Sequence, residues 1–335
     1  MRLQQDAAPP LELDAHTLRI VRALVEHGSI TAAAGALGFS QPAVSQHLRR
    51  AEARIGMPLI ARSGRGVRLT EAGRVLARHA RTITTALDAA AGELAELSGL
   101  RAGRVRLAAF PTASSTLVPQ VLRRLQATHP GIGVGYLEAE PPEAVEAVRS
   151  QQADLAITFG YPGDRVDPHA EGARGLVVVP LWRDEMMLAL PGGHPAAASE
   201  TVDLAALRGE SWIAGCPRCR GHLLQLAEAS GFRPSIAYET DNFTAVLGMV
   251  SAGLGVALIP SLALAVSTLP ADVVIRPTTN HDHRTIHLVA APGSDQVPAI
   301  AAAGSAIVEL DPKAWSLTPA DEETAAPGAP ATTVG

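Results

Sequence analysis

Eleven consecutive residues, Ser40-Gln41-Pro42-Ala43-Val44-Ser45-Gln46-His47-Leu48-Arg49-Arg50, carry side chains suited to nucleic-acid contact. Glutamine amides and arginine guanidinium groups present the donors and acceptors that read base edges, and serine hydroxyls and arginines also hold phosphates. A second reactive set is Cys216-Pro217-Arg218-Cys219, at the junction of a strand and a helix. A helix N-terminus lowers a thiol pKa, and Arg218 and Arg220 add to that effect, so a thiol-based redox switch is physically reasonable. A thiol oxidoreductase is a different class of function, and no thioredoxin-like order of elements surrounds the pair; nor does a second CxxC complete a zinc site. His281, His283 and His287 alternate in a polar loop without a carboxylate or cysteine set, and they read as surface. No nucleophile–base set or phosphate loop stands in a supporting context. No catalytic residue, metal or cofactor is expected, and an enzymatic body is not the favoured reading.

Elements must position these groups. Leu18, Val21, Leu24 and Val25 recur at helical spacing and His27-Gly28 ends that helix. Ser29 and Thr31 are candidate caps for an alanine-rich second helix, and Leu37-Gly38-Phe39 forms a tight turn anchored by Phe39. Pro42 falls early in a third helix, where its missing N–H costs nothing. Val44, Leu48 and Ile55 face inward there, and Ser45, Gln46, Arg49 and Arg50 outward. Two helices joined by a short glycine-containing turn form a helix-turn-helix. Beyond Gly56, two short strands flank Ser63-Gly64-Arg65-Gly66; Arg62, Arg65 and Arg68 favour a wing on the phosphate backbone over mere structural closure.

Charge supports this division. The chain carries −5 overall, yet nine arginines between Gln41 and Arg81 face only Glu52 and Glu71, a local +7 on a body of −12. Such a basic patch on an acidic body is an electrostatic footprint for nucleic acid, although a solvated charged face gives a similar pattern. At 335 residues with 47% hydrophobic and 18% charged residues, the chain has material for two or three domains. Two cysteines exclude a disulfide framework, and no apolar run reaches membrane-span length, so a cytoplasmic protein without membrane contact is expected.

Thr70-Glu71-Ala72-Gly73 opens a further helix. Leu76, Ile83, Ala90 and Leu97 recur every seven residues, with Ala80, Leu87 and Leu94 beside them. That seam fits pairing with a second copy; an amphipathic helix packed on its own domain is the alternative. From Gly103 strands and helix-length segments alternate: 105–110, 133–137, 154–159, then 176–179, 185–190, 211–214, 255–259 and 287–290, closing with a helix over 299–310. The alternation implies parallel sheets covered by helices. In such folds ligands gather beyond the carboxyl ends of strands. Thr112, Ser114 and Ser115, Phe159-Gly160-Tyr161, Gly215-Cys216 and Asn242-Phe243 all fall there. Helix capping or packing accounts for each alone; their convergence suggests a pocket, and the free N–H groups after Phe110 favour an anion such as a carboxylate.

The segment from Thr31 to Gly73 resembles the winged helix-turn-helix of LysR-type transcriptional regulators. Ser40-Gln41-Pro42-Ala43-Val44-Ser45 matches the opening of that family's recognition helix, and Leu69-Thr70-Glu71-Ala72-Gly73 matches that of its linker helix. Ala51 and Ile60-Ala61 depart from the family pattern at support positions. The resemblance extends over Gly103 to Leu310, including Val250-Ser-Ala-Gly-Leu-Gly-Val-Ala-Leu-Ile-Pro260. It implies an α/β chain with a winged helix-turn-helix (12–70), a dimerising linker helix (71–98) using Leu76, Ile83, Leu87, Leu94 and Leu97, and a two-lobed effector domain (103–312) similar to periplasmic solute-binding proteins. Lobe one would take about 103–174 and 290–312, and lobe two 175–289; residues 1–11 and 313–335 would be disordered. Gln41, Ser45, Gln46 and Arg49 would meet bases, and Thr31, Ser40, Arg50, Arg62, Arg65 and Arg68 phosphates, with Pro42 in the interface. The partners implied are double-stranded DNA with an inverted-repeat operator, further copies of the chain in a dimer or tetramer, a small-molecule effector in the cleft, and RNA polymerase.

Overall fold

Capping side chains fix the first three helices. The computed structural model describes residues 13–63, 66–97, 103–164, 167–169 and 172–320. Asp14 caps α1 (Ala15–His27), accepting from the Thr17 N–H at 2.7 Å, and Gly28 ends it in the left-handed region at φ 68°. Ser29 caps α2 (Ile30–Ala36) through the Ala32 N–H; Thr31 lies inside that helix, exposed, and is not its cap. Ser40 caps α3 (Gln41–Ile55). Val44, Leu48 and Ala51 turn inward onto α1 and α2, but Val25 is exposed, contrary to its expected place on the buried stripe. Phe39 is exposed as well, its ring meeting the edge of His16 at 5.0 Å instead of filling the turn.

The hairpin of β1 (Ile60–Ser63) and β2 (Gly66–Leu69) follows, then the 27-residue α4 (Glu71–Leu97). Gly73 is required where α4 starts: a Cβ there would sit 2.1 Å from the Leu59 carbonyl oxygen, so only glycine lets the helix enter this close to the hairpin. Glu52 holds the other side of this corner, accepting from the Leu59 and Ile60 N–H groups.

Asp14 also ties α1 to α3. Burial pushes its carboxyl up, but the Thr17 N–H, the Thr17 hydroxyl and Arg54 together hold it down at about 2. Asp14→Ala is expected to cost about 1 kcal/mol through the lost cap. A carboxylate depressed from 3.8 stabilises the fold above that pH and loses its contribution as pH falls toward 2. Acid unfolding followed by circular dichroism should therefore be flatter between pH 4 and 2 in the variant than in the parent.

The body is one curled sheet of ten strands among the described residues. Its first half holds β3 (Gly103–Ala109), α5 (Pro111–Ser115), α6 (Leu117–Thr128), β4 (Ile132–Glu138), α7 (Pro141–Arg149) and β5 (Leu155–Gly160). A 15-residue strand, β6 (Val177–Pro191), runs into the second half, where two separate strands were expected from sequence. There follow β7 (Ser211–Ala214), α8 (Pro217–Ala229), β8 (Ser235–Glu239), α9 (Phe243–Ser251), β9 (Val256–Pro260), α10 (Ser261–Leu264) and β10 (Val273–Pro277). The chain returns through β11 (His283–Ala290) and α11 (Pro298–Val308) to β12 (Thr318–Pro319). Strand order is β4-β3-β5-β11-β6-β9-β7-β8, with β10 and β12 also on β6.

Because β11 pairs with β5, it belongs to lobe one, and the return crossing comes near 283 instead of 290. Residues 312–320 are ordered against lobe one, with Leu317 buried in its core and β12 on β6, so a disordered tail beginning at 313 is corrected. The expected tails at 1–11 and 321–335 lie outside the described residues. Separate apolar clusters fill both faces of each half, α6 and α11 against one face of the first and α7 against the other.

Candidate DNA interface and ligand cleft

On α3 the side chains of Gln41, Pro42, Gln46, Arg49 and Arg50 are exposed together, with Ser40 at its cap. Ser45 is half-buried, its hydroxyl accepting from the Gln41 amide at 2.9 Å. That bond presets the Gln41 amide on the outer face. His47, amid the motif, turns inward to Thr17 at 2.9 Å, and burial lowers its pKa. Thr31 and Arg68 are exposed; Arg65 and the Arg62 side chain lie outside the described structure.

On α4 the expected seam divides. Leu76 and Ala80 are buried against Leu18, Val21 and Leu59 of their own domain, so Leu76 is core and not a pairing residue. The partner surface it meets is α1, which the sequence did not reveal. Ile83, Leu87 and Leu94 remain exposed at 40%, 38% and 67%, on one stripe. The Leu97 side chain lies outside the description.

In the body, the carboxyl ends of β3, β5 and β7 converge around a buried charge. Arg284 on β11 stands opposite Asp184 on β6, and its guanidinium reaches that carboxylate at 2.8 Å and the Thr112 hydroxyl at 2.9 Å. Phe110 and Phe159 cover it, 4.9 and 4.5 Å from their ring centres. Asp184 also accepts from the Leu262 N–H at the start of α10. Beyond lies Tyr161, whose ring stacks on His222 of α8 at 3.9 Å and so joins the two halves. Arg218 spans the same gap, bonded to Asp164 at 2.6 Å.

Thr112, Phe159, Tyr161 and Cys216 thus share one neighbourhood. The rest do not join them. Ser114 bonds Tyr136, Ser115 returns to its own helix, and Gly160 faces His169. Gly215 abuts Cys219, Asn242 caps α9 through the Ala245 N–H, and Phe243 packs into the core beneath that helix. Sequence reasoning missed Glu140, Asp184, His222 and Arg284, which come from four distant segments without a shared motif.

The two thiols differ from each other. Both cysteines are free and neither faces solvent openly. The thiol–thiol hydrogen bond with Cys219 and burial push the Cys216 thiol up, although the Cys219 N–H at the helix N-terminus donates to its sulfur; the same thiol–thiol bond and Arg284 hold the Cys219 thiol down. Arg218 and Arg220 are engaged by Asp164 and Glu239 and do not serve the thiols. His287, expected at the surface, is largely buried beside His169, and burial lowers it to about 3. Among the described residues no group of three or more potential ligands is placed to hold a metal ion, and no helix is long and apolar enough to cross a membrane.

A winged helix-turn-helix joined by a long helix to a two-lobed α/β body defines a DNA-binding regulator with a ligand-binding domain. Residues 15–74 match the family model for the bacterial regulatory helix-turn-helix protein, lysR family, and residues 98–310 that for the LysR substrate binding domain. The chain belongs to the LysR family of transcriptional regulators. It is 30% identical over 260 residues to a probable RuBisCO transcriptional regulator of Synechocystis, covering 76% of this chain and 73% of the relative. It is 28% identical over 284 residues to the DNA-binding transcriptional dual regulator OxyR of Escherichia coli, covering 83% and 89%. In fold it resembles a point variant of full-length OxyR from Pseudomonas aeruginosa, with TM-score 0.67 at 21% identity over 88% of this chain and 95% of that one.

Proposed function

We propose that this regulator reads an inverted-repeat operator with paired α3 helices and that a small molecule between the lobes sets the geometry of the pair. The observation that carries the reading is the outer face of α3, with Gln41, Gln46, Arg49 and Arg50 exposed while Val44, Leu48 and Ala51 on its inner face are buried. Gln41, Ser45, Gln46 and Arg49 meet bases; Thr31, Ser40, Arg50, Arg62, Arg65 and Arg68 hold phosphates. Ile83, Leu87 and Leu94 pair α4 with a second copy, and pairs assemble further into a tetramer that contacts RNA polymerase. The effector is held among Thr112, Phe159, Tyr161, Cys216 and the charged groups around them. Lobe one touches the DNA-binding unit around a cavity of about 330 Å³ walled by Arg22, Arg78, Arg149 and Arg174, which gives a lobe movement a direct route to α1 and α4. Such coupling requires that the ligand favour one of two arrangements.

Gel shifts on the DNA upstream of the protein's own gene test the operator reading. Gln46→Ala should lower discrimination at one base position of each half-site by about 1–3 kcal/mol while leaving nonspecific binding intact. Arg68→Ala should weaken all sequences alike and flatten the salt slope by about one. Equal, sequence-blind losses from both variants would remove Gln46 from base reading.

A further inference from the structure

The meeting point of the two lobes holds polar atoms that no protein group satisfies. Glu140, between β4 and α7, buries its Oε2 without a hydrogen-bond partner. The same holds for both ring nitrogens of His222, while the Tyr161 hydroxyl has only the Cys219 thiol, a weak partner; each residue is only 5% exposed. Native proteins satisfy nearly all such groups, so two unsatisfied side chains and one weakly bonded hydroxyl in one cleft mark a place where something polar binds.

Charge narrows what that is. Glu140 feels Arg284, Asp241, Glu143 and Arg218. Both arginines are already matched, Arg284 by Asp184 and Arg218 by Asp164. Glu140 remains unmatched, with the exposed carboxylates of Glu143 and Asp241 near enough to add to an excess of negative charge. Burial holds His222 neutral, its pKa down at about 4, and holds Tyr161 as the phenol, so neither offsets this excess. Of the helix ends at the cleft, α8 is capped by Cys216 and α9 by Asn242, α5 has only five residues, and α7 has no side-chain cap but opens with Pro141 and Pro142, which carry no N–H. An anionic ligand, expected from the sequence, therefore meets an acidic cleft.

We propose that the cleft recognises its small-molecule effector through a protonated amine, with Glu140 as the anionic partner and Tyr161 and His222 as neighbouring hydrogen-bond partners. The inference rests on the reading of the cleft as the effector site. An ammonium group supplies three N–H donors and one positive charge, which answers the unsatisfied acceptors and the excess of negative charge together. The amine belongs to a simple amine or to an amino acid, whose carboxylate would lie away from Glu140.

Thermal shift and titration calorimetry on the full-length protein with n-butylamine, 1,4-diaminobutane, an α-amino acid set and butyrate provide the test. Amine-bearing probes should raise the melting temperature and butyrate should not. Binding of the simple amines identifies an amine effector; binding confined to the amino acids identifies a zwitterion held by its ammonium. Glu140→Gln should weaken binding at least about tenfold, the worth of one charge-assisted contact, and Glu140→Asp should restore part of it. Affinity should fall as the pH is lowered, because burial raises the Glu140 pKa and protons compete with the ligand. The groups facing Glu140 are Arg284, Arg218, Asp241, Glu143 and the Cys216 and Cys219 thiols, of which none is a histidine. Amine binding that persists in Glu140→Gln, or no shift from any amine, overturns the proposal. Butyrate binding that disappears in His222→Ala overturns it too, while leaving the cleft as the effector site.

Discussion

Arg284→Met should lower the melting temperature of the effector body by roughly 6–20 °C. The basis is the position of Arg284 and Asp184, which are 2% and 0% exposed and face each other across β11 and β6. Removing one partner of a buried pair leaves the other as an uncompensated charge and costs about 3–5 kcal/mol. In a domain of about 200 residues each kcal/mol moves the transition by roughly 2–4 °C. The variant also frees the Thr112 hydroxyl and strips the cation from between Phe110 and Phe159, so the floor of the cleft loosens along with the strand pair. Asp184→Leu combined with Arg284→Met removes both charges and should recover most of the loss, since a well-packed apolar pair is often neutral or better at such sites. Circular dichroism melts of the single and double variants decide this. A double variant as unstable as Arg284→Met would show that the Thr112 and Leu262 bonds, and not the unpaired charge, set the cost.

That pair also explains what the sequence could not disclose. Arg284 and Asp184 are a hundred residues apart, each in a run of polar residues that reads as surface, and only the antiparallel register of β11 on β6 sets them face to face. The same register hid the length of β6. Pro180 and the polar Trp182-Arg183-Asp184 stretch break its apolar pattern, so it reads as two strands. Yet the pairing shifts beside Pro180, where His287 faces Pro180 and Ile286 faces Trp182, and this irregularity absorbs the missing N–H. The DNA-binding unit was legible because its signals are local. Asp14, Ser29 and Ser40 cap helices within three residues, and Gly28, Gly38 and Gly56 take the positive φ that ends them. In the cleft only residues at strand ends were legible, and six of those ten bond or pack elsewhere, Asn242 as a cap and Phe243 as core among them. A cap and a ligand contact have the same residue type at the same place in a helix, and only tertiary packing separates them.

Ile83→Glu with Leu87→Glu should convert the assembly to a smaller species and lower operator affinity by about 10²–10⁴, the usual advantage of linking two binding modules. The inner side of α4 is settled within the chain: Leu76 and Ala80 meet α1, and farther along the helix packs beside α11, with Ala89 buried. The side chains of Ile83, Leu87 and Leu94 are exposed among the described residues, and their four- and seven-residue spacing keeps them on one face for three turns. Charges there leave each folded chain intact, because none of the three side chains contributes to a buried cluster. Thr82→Glu, exposed but one position off the stripe, serves as the matched control and should change neither property. Sedimentation velocity and gel shifts on a single half-site and on a full operator separate the effects. Half-site binding should survive in the double variant, since α3 is untouched, while the gain from the second half-site disappears. If the double variant keeps both its mass and its full-operator affinity, the copies are held together by the body, and the exposed stripe on α4 has another use.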